Sequence, residues 1–61
     1  MRLVNEVETK HYQISVYSYK IDGEERFNVV PQNKFTKQVN ENNVKSLKTT
    51  DMVNDYIKEF N

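Results

Sequence analysis

The sequence contains no cysteine, so the chain can form neither a disulfide bond nor a thiolate metal site. It has a single histidine, His11, and a zinc site built on it would need several carboxylates as the other ligands. Its single glycine, Gly23, cannot supply the glycine-rich loop that cradles phosphate groups. We therefore expect no bound metal and no cofactor.

The residue combinations of common catalytic sites are also missing. No Gly-x-Ser-x-Gly motif accompanies His11. The acidic pairs Glu24-Glu25 and Asp51/Asp55 fall at a turn and on a helix surface, whereas a raised carboxylate pKa requires burial. We expect no catalytic residue, no enzymatic activity and no small-molecule substrate.

Long apolar runs are absent, and none approaches the roughly 18 residues that a membrane span needs. The first six residues lack the apolar stretch of a signal peptide. These observations predict a cytoplasmic protein with no membrane partner. The formal net charge is zero, and asparagine and lysine supply fifteen of the 61 residues, a bias familiar from AT-rich bacterial genomes and their phages.

Seven aromatic residues and eight valines indicate a folded chain, and 61 residues allow one small domain, 1–61. A chain of this length buries about 60% of the surface that its unfolded form exposes. The expected free energy of unfolding is therefore only about 3–5 kcal/mol. Association with a partner, either another protein or a second copy of the chain, is one way to add stability.

A β-hairpin is the clearest signal in the sequence. Residues His11–Ile21 are dense in aromatic and β-branched side chains, which suit a pleated, half-buried strand. The dipeptide Asp22-Gly23 follows, and it readily adopts the two positive φ values of a type I′ turn. We predict a returning strand over Glu24–Val30, ended by Pro31 because proline has no N–H for the ladder.

The two-residue turn sets the register of the hairpin, and the register assigns each side chain to a face. It pairs Ile21 with Glu24 and Tyr19 with Arg26. One face is apolar and is the predicted core face: Tyr12, Ile14, Val16, Phe27 and Val29. The other is mixed: Gln13, Ser15, Tyr17, Tyr19, Ile21, Arg26, Asn28 and Val30. A three-residue loop is the alternative, and it would pair Tyr19 with Phe27.

A C-terminal helix of about ten to twelve residues is the second clear signal. Its apolar side chains recur at helical spacing: Met52, Val53, Tyr56, Ile57 and Phe60. Capping oxygens precede them on Thr49, Thr50 and Asp51. So short a helix does not persist alone in water. We therefore predict that its apolar stripe packs on the core face of the hairpin.

The remaining segments are assigned as further strands. Leu3, Val4 and Val7 predict a strand that pairs with 12–21, and 35–39 predicts another. Residues 40–43 indicate a turn, and 44–47 a short edge strand that leads into the helix. The alternative makes 35–47 helical. The predicted fold class is α+β: a small antiparallel three- to four-stranded sheet with one C-terminal helix packed on one face.

The sheet face that the helix leaves uncovered is the predicted binding surface, with five residues as its protein-binding set: Tyr17, Tyr19, Ile21, Arg26 and Val30. Contiguous apolar and aromatic patches on monomers usually mark interaction sites, and tyrosine and arginine dominate binding hot spots. The function predicted is a non-catalytic protein-interaction module, such as a phage- or mobile-element-derived modulator or inhibitor of a host protein. Two alternatives stay open: the tyrosines form ordinary stabilising cross-strand pairs, or the N-terminal segment covers this face.

A small DNA-binding accessory protein is the alternative function. Segment 34–48 contains one acidic residue and four lysines, a local excess of three positive charges. The lysines are Lys34, Lys37, Lys45 and Lys48. A sheet followed by a helix that opens with Leu47-Lys48-Thr49-Thr50 resembles the three-stranded arm domains of phage-type integrases over residues 12–60. That resemblance implies that the sheet would read the major groove, with the hairpin and the four lysines as the contacts.

Overall fold

Four antiparallel strands and one helix make up the computed structural model, which describes residues 1–60. The strands are β1 (Arg2–Glu8), β2 (Tyr12–Ile21), β3 (Glu24–Asn33) and β4 (Lys45–Leu47), followed by α1 (Thr50–Lys58). They lie side by side in chain order, β1-β2-β3-β4. The helix covers one face of this sheet. The predicted α+β class, with a single C-terminal helix on one face of an antiparallel sheet, is therefore confirmed.

The hairpin turn has the two-residue geometry that the sequence predicts. Asp22 and Gly23 have φ values of 52° and 80°, the pair of positive values that a type I′ turn requires. Ile21 pairs with Glu24, and Tyr19 pairs with Arg26. The predicted register is confirmed along the whole hairpin, and the three-residue loop is wrong.

Pro31 does not end the returning strand, so that prediction is wrong. Strand β3 continues two residues beyond it, and Pro31 is buried opposite Ile14. In an antiparallel pair of strands, residues whose N–H and C=O groups bond to the neighbouring strand alternate with residues whose groups point away from it. Counting from the turn, Pro31 falls on a position that needs no N–H toward β2, and β4 pairs with β3 only up to Val29. Its missing N–H therefore breaks no ladder bond.

The N-terminal segment forms the predicted strand and lies at the edge of the sheet. Strand β1 pairs antiparallel with β2, and a bulge shifts the register between Leu3 and Asn5. The bend that follows is held by Thr9, which is buried and whose Oγ1 accepts a hydrogen bond of 3.1 Å from the Tyr12 N–H. Because β1 extends the sheet sideways, the alternative in which this segment covers the outer face is wrong.

The core lies between the sheet and α1. Its buried side chains are Ile14, Val16, Phe27, Val29, Val53, Tyr56 and Ile57. The four strand residues in this set belong to the predicted core face, and the fifth, Tyr12, is half-buried against the cluster. The helical stripe is narrower than predicted, since Met52 is 46% exposed and Phe60 lies beyond the helix end. Phe60 still packs edge-on against Tyr12, with ring centroids 5.0 Å apart.

The segment between β3 and β4 differs in part from its prediction. The strand predicted over 35–39 is wrong, because 34–36 form a turn in which the Asn33 side chain accepts hydrogen bonds from the Phe35 and Thr36 N–H groups. Only Val39 makes an isolated bridge, to Gln32. Local side-chain bonds of this kind compete with strand pairing.

The end of this connection follows the prediction. The turn expected over 40–43 is a single 3₁₀ turn, Glu41–Asn43, capped by the Asn40 side chain. Strand β4 then occupies Lys45–Leu47 and lies at the sheet edge, inside the predicted 44–47 range. The helical alternative for 35–47 is wrong.

Thr49 caps the helix, and we expect Thr49→Ala to destabilise the domain by about 1 kcal/mol. Thr49 has an extended backbone, and its Oγ1 accepts a hydrogen bond of 3.2 Å from the Met52 N–H. Alanine leaves that N–H without its capping oxygen. Urea denaturation followed by circular dichroism measures the loss. Thr49→Ser, which keeps the hydroxyl, should stay within about 0.5 kcal/mol of the wild type, and equal losses in the two variants would contradict the capping role.

Candidate interaction surface

The five residues predicted to bind protein lie together on one face of the sheet, which we call the outer face. Successive strand residues point to opposite sides. Val16, Phe27 and Val29 face the helix, so their neighbours face away from it. The predicted set is Tyr17, Tyr19, Ile21, Arg26 and Val30, and none of its members belongs to the buried cluster. The two-residue turn therefore places the whole set on one surface.

Leu3 extends this apolar surface onto β1, although it is not one of the five residues predicted from the sequence. It pairs with Tyr17 across the first two strands and is 47% exposed. Ile21, at the hairpin end of the same face, is 52% exposed. The bulge after Leu3 decides which face this side chain takes. No turn signal in the sequence specifies the register of β1, so the pattern alone could not assign Leu3 to a face.

Tyr19 is held in place by a hydrogen bond that spans the sheet. Its Oη lies 2.5 Å from the Oγ of Ser46 on β4, although Tyr19 belongs to β2. Strand β3 lies between them, and two strand spacings amount to roughly 10 Å. The tyrosine side chain therefore extends across β3 to reach β4. A ring already fixed in one orientation loses little further conformational entropy when a partner binds.

The charged side chains of the outer face lie toward its two ends. Glu6 and Glu8 on β1 pair with Ser15 and Gln13, at the end of the sheet away from the hairpin turn. Arg26 lies toward the turn on β3, beside Tyr19. Glu8 also forms an ion pair of 3.2 Å with Lys34. Glu24, which pairs with Ile21 at the hairpin tip, adds one carboxylate on the turn side of the same face. The outer face therefore has two carboxylates at one end, where Lys34 partly neutralises them, and Arg26 with Glu24 toward the other.

The four lysines proposed for DNA contact do not share one surface. Lys45 lies on the helix-bearing side, with its Nζ 4.6 Å from the ring centroid of Tyr56. Lys34 directly follows β3 at the end away from the hairpin turn. Along the strand direction it lies about 16 Å from Lys45, which pairs with Val29. Lys37 lies in the loop after β3 with a φ of 64°, and Lys48 lies between β4 and the helix. The structure separates these four positions.

The remaining concave regions lie away from the outer face. A groove of about 280 Å³ runs between β1 and the helix, with Val4, Phe27 and Val53 among its lining residues. A more polar depression of about 440 Å³ lies around the 36–43 connection and is lined by Tyr12 and Asn33 among others. Within residues 1–60, no three or more His, Asp or Glu side chains are grouped as metal ligands would be.

Tyr56 is a titratable residue whose pKa the fold clearly shifts. Burial raises the pKa of its phenol, and the negative charge of Glu59 adds to the effect. The hydroxyl donates a hydrogen bond of 2.5 Å to the carbonyl oxygen of Asn43. This arrangement joins the helix to the turn before β4, so it supports the fold beneath the outer face.

Comparison with protein-family models, with curated proteins and with solved structures finds no significant match to this chain. In the described part of the chain, no helix has the length and apolar character needed to cross a membrane.

Proposed function

We propose that this protein is a non-catalytic interaction module that binds another protein chain through its outer face. One observation carries the proposal: Leu3, Tyr17, Tyr19 and Ile21 form a contiguous apolar and aromatic surface on the side opposite the helix. A surface of this composition is favourable to bury and seldom left open on a monomer. Covering it would also add stability to a chain of only 61 residues.

The side chains on this surface suit protein recognition. Tyrosine and arginine contribute disproportionately to binding free energy, because each combines a large contact area with a polar group. Tyr19 is fixed by Ser46, and Arg26 lies directly opposite it on β3. We further propose a cytoplasmic protein of phage or mobile-element origin that modulates a host protein, on the support of the cysteine-free, asparagine- and lysine-rich composition.

DNA binding has weaker support from the geometry. A phosphate backbone laid on the outer face would meet the carboxylates of Glu6, Glu8 and Glu24, with Arg26 as the nearest strand cation. The lysines outside the sheet point to no shared surface. A gel-shift titration tests this alternative, since binding at about 50 mM salt that weakens steeply with added salt would favour it.

We expect the double variant Tyr17→Thr, Tyr19→Thr to lose protein association by at least tenfold, that is, by about 1.4 kcal/mol or more. Threonine retains high β propensity, so the hairpin is expected to survive. Two measurements report the effect: quantitative affinity capture from cells of the source organism, and analytical ultracentrifugation of the purified chain. Circular dichroism and thermal unfolding establish that the variant is folded.

Phe35→Thr is the matched control, because it removes a 75% exposed aromatic ring that lies in the turn after β3. It should leave association unchanged. A folded double variant that associates as the wild type does would disprove the outer-face proposal. A wild-type chain that neither self-associates nor captures any protein would disprove it as well.

A further inference from the structure

The apolar part of the outer face forms an oblique stripe across the strands. Leu3 on β1 lies level with Tyr17 on β2. Val30 on β3 pairs with Ser15 and so lies two residues farther from the hairpin turn than Tyr17 does. The stripe Leu3–Tyr17–Val30 therefore crosses the strand direction at roughly 55°, from a strand spacing of about 4.8 Å and a rise of about 3.4 Å per residue.

The charged residues lie on opposite sides of this stripe. Glu6 and Glu8 lie on the side away from the hairpin turn, on β1. Arg26 lies on the turn side, on β3, and Glu24 lies on that same side at the hairpin tip, opposite Ile21. A rotation of 180° about the stripe would exchange the two sides. The rotation would therefore bring Arg26 of one copy onto the β1 carboxylates of the other, whereas Glu24 would fall about 10 Å beyond the edge of the partner's sheet.

We propose that the occupant of the outer face is a second copy of this chain, bound face to face about a twofold axis that runs along the Leu3–Tyr17–Val30 stripe. This inference rests on the proposed function and specifies its partner. The operation places Arg26 of each copy beside Glu6 and Glu8 of the partner subunit, twice by symmetry, with the apolar stripe between the two sets of charges. Because the axis lies at roughly 55° to the strands, the strands of the two sheets cross at roughly 70°, closer to the orthogonal class of sheet packing than to the aligned class.

Other face-to-face arrangements pair the charges less well. An axis parallel to the strands would set β1 of one copy over β4 of the other, at equal heights. Glu6 would then oppose the region just before β4, where Val44 lies, and Arg26 would have no acidic partner on β1. The oblique axis instead brings Arg26 onto the β1 carboxylates while keeping the apolar stripe at the centre.

The size of the contact predicts a weak dimer. Four strands span about 19 Å, so two sheets that cross at roughly 70° overlap over an area of roughly 19 Å by 19 Å. A standard interface buries about 800 Å² per partner, roughly a sixth of the 4504 Å² surface of this chain. The overlap is below that standard, and we expect a dissociation constant of about 10 μM or higher.

A charge-swap experiment tests the arrangement by sedimentation at several concentrations. Arg26→Glu alone and Glu6→Arg alone should each weaken self-association by at least about tenfold, because each places like charges together twice. An equimolar mixture of the two variants should restore association to within about threefold of the wild type, since in a mixed dimer every basic side chain at these sites faces an acidic one. Native mass spectrometry identifies the restored species as the heterodimer.

Lys20→Glu and Glu25→Arg form the matched control pair. They pair with each other at the hairpin tip, are exposed and lie on the opposite side of the sheet from Arg26. Neither should change self-association. Glu6 is the better test position than Glu8, because Glu8 already has Lys34 as a partner.

The outcomes separate this inference from the proposed function. A wild-type chain that remains monomeric at about 1 mM, or a variant mixture that stays dissociated, would overturn the dimer. If such a chain still captures another protein through Tyr17 and Tyr19, the proposed function stands and only the identity of the partner changes. Dimerisation that Tyr17→Thr, Tyr19→Thr leaves intact would instead contradict the outer face as the interface.

Discussion

Ile14→Ala is expected to leave the domain largely unfolded at 25 °C. Ile14 has no exposed surface and lies on the central strand β2, between Val7 on β1 and Pro31 on β3. Truncation of a buried isoleucine to alanine costs about 2–5 kcal/mol, the lost transfer free energy plus the cavity that remains. A 61-residue domain has only about 3–5 kcal/mol of stability to lose.

Urea denaturation followed by circular dichroism measures this effect, at low protein concentration so that association contributes little. Ile14→Val is the matched control and should remain folded, with a loss of about 0.5–1.5 kcal/mol. An Ile14→Ala variant that unfolds cooperatively at the wild-type urea midpoint would show that this core position is less important than its burial indicates.

Tyr56→Ala is expected to have the second largest effect on stability, about 3 kcal/mol or more. The ring is 7% exposed, packs edge-on against Phe60 at a centroid distance of 5.1 Å and lies beneath the Lys45 ammonium. Its hydroxyl also bonds to the Asn43 carbonyl. Alanine removes all of these contacts and so detaches the helix from β4 and from the turn before it.

Tyr56→Phe separates the ring from the hydroxyl. It keeps the packing and loses only the hydrogen bond to Asn43, at a cost of about 1 kcal/mol. Denaturation curves of the two variants give the comparison. If alanine and phenylalanine cost the same, the helix would be held by the hydroxyl and not by the ring.

The raised pKa of Tyr56 makes this part of the stability depend on pH. Burial, and then the charge of Glu59, disfavour the phenolate in the folded state, so the folded pKa exceeds the ordinary value of 10.0. The stabilisation is fully present below about pH 10 and is lost as pH rises through the raised folded pKa. Denaturation of the wild type should therefore show a steeper loss of stability above pH 10 than Tyr56→Phe, and parallel losses would contradict the assignment.

Most of the secondary structure was predictable because residues close together in the chain specify it. Asp22-Gly23 specifies a type I′ turn, and that turn sets the pairing of every residue in the hairpin. The spacing of Val53, Tyr56 and Ile57 specifies the buried side of the helix. The exceptions are Pro31, which continues a strand, and 35–39, where side-chain bonds from Asn33 form a turn.

The candidate interaction surface was only partly predictable. The turn register placed Tyr17, Tyr19, Ile21, Arg26 and Val30 on one face, and the structure has them there. Leu3 and the Tyr19–Ser46 bond were not predictable, because both depend on pairings between distant segments. The positions of Glu6 and Glu8 on the face likewise require the register of β1 against β2.

The amino-acid sequence by itself determined the hairpin, its turn, the C-terminal helix and the absence of thiol chemistry, because each depends on neighbouring residues or on composition. The tertiary structure alone decided what lies beside what: Leu3 next to Tyr17, Ser46 at the hydroxyl of Tyr19, Glu6 across the stripe from Arg26. Side chains far apart in the chain become neighbours only when strand order and register are set. A bulge of one residue in β1 is enough to reverse the face that a side chain takes.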